Sequence, residues 1–126
     1  MSGAARPLEQ KYRQAAFVYL HVGILYLFAV RVLGEAGLIP GERGPVWLWL
    51  VLGAGLVAAV FWGLWSWQNP WFVRVIWSLH ALRIPALLTG AFFPVPGSEI
   101  PPAFYMTALL VVLLNLGMLA RAGWDL

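Results

Sequence analysis

The chain has no cysteine among its 126 residues, which excludes disulfides, thiolate metal sites and cysteine nucleophiles together. Charge is scarce as well. Only 10% of the residues are Asp, Glu, Lys or Arg, against about 25% in a soluble globular domain. With 62% hydrophobic residues and eight Trp, a water-soluble fold of this size would have no polar surface to show. The sequence therefore reads as an integral membrane protein of one domain.

Carboxylates are missing from every long apolar run. Glu9, Glu35, Glu42, Glu99 and Asp125 all lie between or beyond them. A bundle that exports cations through a membrane-embedded acid is excluded on that ground. So is a nucleophile triad: Ser78 stands two residues before His80, on another side of a helix, with no acid at hand. Two histidines without a third ligand would hold a metal weakly, so neither catalysis nor a metal site is expected. The net charge of +3 comes from eight basic residues scattered along the chain rather than gathered in a patch. It predicts orientation in a membrane, not nucleic-acid binding.

Four apolar segments follow one another. Residues 1–14 read as a polar, basic cytoplasmic tail, and the first span as 15–33. That run is longer than the roughly 7–15 apolar residues of a signal peptide, carries His21 and lacks a small-residue cleavage site. It is expected to stay as a membrane span. Residues 34–45 form a Gly- and Pro-rich loop, with Pro45 suited to a helix start. The second span covers 46–67. Gln68-Asn69-Pro70 then leaves room only for a tight turn, with Asn69 as cap and Pro70 at the first helical position, so spans two and three should form an antiparallel hairpin. The third span covers 71–93 and holds Arg74, His80, Arg83 and a mid-span Pro85. A breaker-rich loop at 94–102 leads to the fourth span, 103–120. Each is close to the ~20 residues that cross a bilayer, and helices are required where lipid offers the backbone no partners. The fold class is all-α, a four-helix polytopic membrane protein in an up-down bundle.

Basic residues set the orientation. Arg6, Lys11, Arg13, Arg74 and Arg121 fall on one side; Arg31 and Arg43 fall on the other, beside Glu35, Glu42 and Glu99. Both termini are expected inside. Trp47, Trp49, Trp65, Trp67, Trp71 and Trp124 lie near the span boundaries, where indole rings anchor. The bacterial cytoplasmic membrane is the expected location, with the lipid bilayer as solvent.

Faces of the spans suggest contacts. Gly55, Ala59 and Gly63 recur every four residues in span two, a spacing that lets another helix approach closely. In span one Tyr12, Tyr19 and Tyr26 recur every seven with Gly23 between them, while His21 points elsewhere. Helix packing is expected at Gly55, Ala59, Gly63, Tyr19, Gly23 and Tyr26. In span three, His80 and Arg83 stand roughly opposite a stripe of Arg74, Ser78, Ala81, Pro85 and Thr89. Spans one and three thus carry two faces each that fit lipid poorly.

His21, His80 and Asn115 lie at similar depths and are expected to meet in one half of the bundle, with Arg83 near the midplane. An arginine there costs roughly 2.5–3.5 kcal/mol on insertion scales, so it needs protein, water or a ligand. A Tyr hydroxyl, the Asn115 side chain or the Ala81 carbonyl would serve. Three functions fit these features. The first is an accessory or structural subunit that forms a homo-oligomer or docks on other membrane-protein subunits. The second is a carrier or channel for a small anion or neutral solute that uses His21, His80, Arg83 and Asn115. The third is haem b binding through His21 and His80, with Arg83 for a propionate.

Overall fold

The structure is a computed structural model that describes residues 7–35, 45–93 and 100–126. The loops read at 34–45 and 94–102 lie largely outside the described residues, as do Arg6, Glu42, Arg43 and Glu99. Among the described residues every regular element is helical. α1 runs Pro7–Glu35, α2 Val46–Trp62, α3 Pro70–Ala81, α4 Ile84–Phe92 and α5 Pro102–Gly123, and a π-helical segment, Gly63–Trp67, extends α2. Four stretches are long and apolar enough to cross a membrane: Pro7–Glu35, Trp47–Trp67, Pro70–Phe92 and Pro102–Gly123. The all-helical, four-span reading of the sequence holds, and the chain is a small integral membrane protein.

Helix ends follow the local chemistry. The Asn69 side chain accepts a hydrogen bond from the Trp71 amide at 2.8 Å, and Pro70 stands in the first turn. That cap satisfies one of the donors a helix start leaves open, where proline's missing N–H costs nothing. Before it, the π turn closes on Gln68, whose amide donates to the Gly63 carbonyl at 3.0 Å. Gln68 is left-handed, at φ 53. Pro45 and Pro101 precede α2 and α5 as extended residues. The first helix departs from expectation. It begins at Pro7, two turns inside the supposed tail, because those turns have work to do. Tyr12 is 2% exposed, Glu9 and Arg13 pair along the helix at 2.8 Å, and Lys11 reaches Asp125 at 2.9 Å.

α2 packs on α1, α1 on α5, and α5 on both α3 and α4. Gly23 meets Val57 and Gly53 meets Leu27, so α1 and α2 run in opposite directions. Lys11 with Asp125 and Gln14 with Arg121 set α5 against α1 in the same way, and Val73 with Gly123 and Gly90 with Tyr105 do so for the last pair. One core joins Tyr12, Ala15, Ala16 and Tyr19 to Val60, Leu64, Val73, Ile76, Leu119 and Ala122. A second joins Leu87 to Leu109, Val112 and Leu116. The hairpin of α2 and α3 touches at its turn, where Phe72 meets Gly63 and Trp67. Beyond that its arms part, one onto α1 and the other onto α5.

Close approach of α1 and α2 rests on glycine. A Cβ on Gly23 would stand 2.6 Å from Val57 Cγ2, and one on Gly53 2.6 Å from Leu27 Cδ2. The stripe singled out in the sequence is turned differently. Gly63 is buried against Phe72, but Gly55 and Ala59 are exposed, and a Cβ on Gly55 would meet nothing within 4 Å. The face of α2 and its extension that enters the core is Val60 and Leu64. Gly23→Leu is therefore expected to force α1 from α2 at a cost of about 1–3 kcal/mol. Gly55→Leu should leave the fold intact. Thermal unfolding of the two variants in detergent checks the pair, and equal loss in both would contradict this packing.

Candidate functional site

Pro85 builds the site by interrupting a helix. It has no N–H to donate, and its ring collides with the carbonyl four residues back. α3 accordingly stops at Ala81, four residues before Pro85, and α4 resumes at Ile84. Across the joint the Arg83 amide donates to the His80 carbonyl, and the Leu87 amide to the Arg83 carbonyl, both at 3.1 Å. His80 thus sits at the end of one short helix and Arg83 in the turn before the next.

Both reach α1. The Tyr19 hydroxyl and His80 Nε2 share a hydrogen bond at 2.9 Å, with their rings edge to face at 5.4 Å. Tyr19 is 4% exposed. Two turns further along α1, Tyr26 offers its ring face to the Arg83 guanidinium, 4.7 Å from the centroid. Arg83 makes no ion pair among the described residues. The cation–π contact is worth about 0.5–1 kcal/mol at an exposed ring and about 2 when desolvated. Tyr26 is 47% exposed, so its contact offsets only part of the cost of an arginine near mid-span.

Tyr19, Tyr26, His80, Arg83 and Asn115 all line one cavity of about 380 Å³. Its walls are apolar, from Val22 and Gly23 on α1, Leu56 and Val57 on α2, and Phe104 and Val111 on α5. Small-molecule sites span roughly 300–1,000 Å³. Leu25 and Leu56, also on the lining, are 59% and 58% exposed. Asn115 is the anomaly. It is 1% exposed, yet its Oδ1 has no hydrogen-bond partner. A buried acceptor left open costs about 1–3 kcal/mol, so a donor supplied from the cavity would have real value.

His80, Arg83 and Asn115, foreseen as a cluster, thus share a cavity. His21 does not. It is exposed, its Nδ1–H donates to the Phe17 carbonyl at 2.8 Å, and its ring lies 4.3 Å from that of Phe17. His21 and His80 do not face each other, so the two-ligand haem arrangement is not formed by these side chains. Tyr19 and Tyr26, expected as packing residues and through a hydroxyl as a candidate partner of Arg83, both belong to the site. Their seven-residue repeat, set beside a parallel span carrying His80 and Arg83 three apart, was the available signal. Gly53, Phe104 and Thr107, which also line the cavity, carried no signal in sequence. No known family, curated protein or solved structure matches this chain.

The Tyr19–His80 bond is open to direct measurement. Hydrogen bonds inside membrane bundles average about 0.6 kcal/mol and reach about 1.7. A double-mutant cycle with Tyr19→Phe and His80→Leu should return a coupling of about 1 kcal/mol in unfolding from mixed micelles. Additivity of the two losses would contradict the bond.

Proposed function

We propose that this chain works by binding, not by catalysis, and that it holds or carries a small neutral or anionic solute with an apolar body. Asn115 carries the reading: a fully buried amide on the cavity wall whose oxygen has no hydrogen-bond partner, beside an arginine that has no acid partner among the described residues. A ligand with an apolar body would meet the aliphatic walls. Its polar head would give a hydrogen bond to Asn115 and take one from Arg83 or the Tyr19–His80 pair. Decanol, whose hydroxyl both gives and takes a hydrogen bond, is the probe for this contact, and decanoate, which only accepts, is its anionic comparison. Decanol should raise the unfolding temperature of the detergent-purified protein, and by more than decanoate does. Asn115→Leu, which keeps the branching at Cγ and removes both polar atoms, should abolish the shift in a protein that still unfolds cooperatively. No shift in the native protein, or an unchanged shift in the variant, would sink the reading. Flux of the stabilising probe into proteoliposomes separates a carrier from a binder.

The accessory-subunit reading draws support from a different place, the open face of Gly55 and Ala59, where a second helix would fit closely. In that case Gly55→Leu should lower self-association or co-purification with a partner without lowering stability. A strictly monomeric native protein that brings nothing from its membrane would end that reading.

Orientation belongs to the same proposal. Lys11, Arg13, Arg74 and Arg121 lie at one end of the helices with Trp65, Trp71 and Trp124. The positive-inside rule assigns that end, with both termini, to the cytoplasm. A C-terminal fluorescent-protein fusion should glow, and a C-terminal alkaline phosphatase fusion should stay inactive. The reverse pattern would overturn the assignment.

A further inference from the structure

We infer that the basic end of α1 and α5 is a binding site for the phosphate headgroup of an anionic phospholipid, separate from the cavity above. A shallow groove of about 550 Å³ there is lined by residues from α1, α5 and the π turn. Arg13 and Arg121 approach it from different helices, and its lining contains no acid. The side-chain hydrogen-bond partners of Arg121 among the described residues are neutral: its Nη1 donates to Gln14 Oε1 at 3.2 Å and lies 3.9 Å from the Met118 sulfur. Arg13 pairs with Glu9 at 2.8 Å, but its side chain remains 45% exposed and its guanidinium lies over Trp65, 5.1 Å from the centroid. Among the described residues the third arginine at this end is already committed. Arg74 lies between Trp71 and Trp124, 4.9 and 5.4 Å from their centroids, and donates to the Gly123 carbonyl at 3.1 Å.

The rest of the groove matches the remainder of a lipid. Gln10 offers amide donors to phosphate or glycerol oxygens, and Trp65 supplies the amphipathic wall favoured at headgroup depth. Phe17, 59% exposed, continues the groove along the apolar part of α1, where an acyl chain would lie. Guanidinium groups bind phosphate oxygens in a paired, planar geometry, which suits two arginines converging from separate helices. A free phosphate shares the head chemistry but leaves the apolar floor unused.

Native mass spectrometry in neutral detergent tests the site with three probes: phosphatidylglycerol, phosphatidylcholine and inorganic phosphate. The native protein should retain phosphatidylglycerol in clear preference to phosphatidylcholine and should not be saturated by inorganic phosphate. Each of Arg13→Gln and Arg121→Gln should weaken that retention roughly five-fold, the effect of removing about one interfacial cation. Arg31→Gln, at the far end in an exposed pair with Glu35, should leave it unchanged. Circular dichroism and thermal unfolding confirm that the variants remain folded. Equal loss with Arg31→Gln means diffuse charge attraction and overturns the site. Competition by inorganic phosphate alone means a soluble-anion site and overturns the lipid assignment.

Discussion

One hydrogen bond organises the interior. Tyr19 and His80 join α1 to α3, two helices that otherwise pack chiefly through α5. Without it the two sides of the cavity would be tied only by the Arg83–Tyr26 contact and through neighbouring helices. In water such a bond would compete with solvent. In a bilayer the alternative for each group is an unsatisfied polar atom in hydrocarbon, so even a modest bond fixes a geometry. The break made by Pro85 places His80 at the end of α3 and brings Arg83 within reach of the same helix, over Tyr26. Bond, break and cation–π contact together hold open a space that the apolar side chains alone would tend to close.

That space has a thermodynamic character of its own. Apolar surface facing lipid is at no disadvantage, so the many exposed Leu, Phe and Trp side chains say little about partners. The informative groups are those that lipid cannot satisfy. Arg31 has Glu35, Lys11 has Asp125 and Arg74 has Gly123 and two indoles. Arg83 and Asn115 have less than they can use, and they line the same cavity. Stability alone would favour filling it with apolar groups, which is the ground on which a ligand is proposed.

Much of the fold was legible in the sequence, because runs of about twenty apolar residues have few alternatives. The Asn69–Pro70 helix start was legible for the same kind of reason: local chemistry decides it. What sequence hid was set by tertiary contact. Nothing local tells that the first two turns of α1 pack through Tyr12, or that α2 turns Gly53 and Val57 rather than Gly55 and Ala59 toward α1. The π turn at Gly63–Trp67 carries no sequence mark and shifts the register beyond it. For the site, depth along the spans puts His21, His80 and Asn115 at similar levels with Arg83 just above them, but depth says nothing of direction. His21 shares the level and faces away, and Arg83 takes a tyrosine ring where a hydroxyl or carbonyl was expected.

The side-chain amide of Asn115 is the most direct witness to the central claim. In ¹⁵N-labelled protein in lipid nanodiscs, titration with the stabilising probe should move the Asn115 Nδ2 resonances saturably, with Arg83 Nε following and the Asn69 side chain unmoved. Saturable binding that leaves the Asn115 resonances in place would contradict the account.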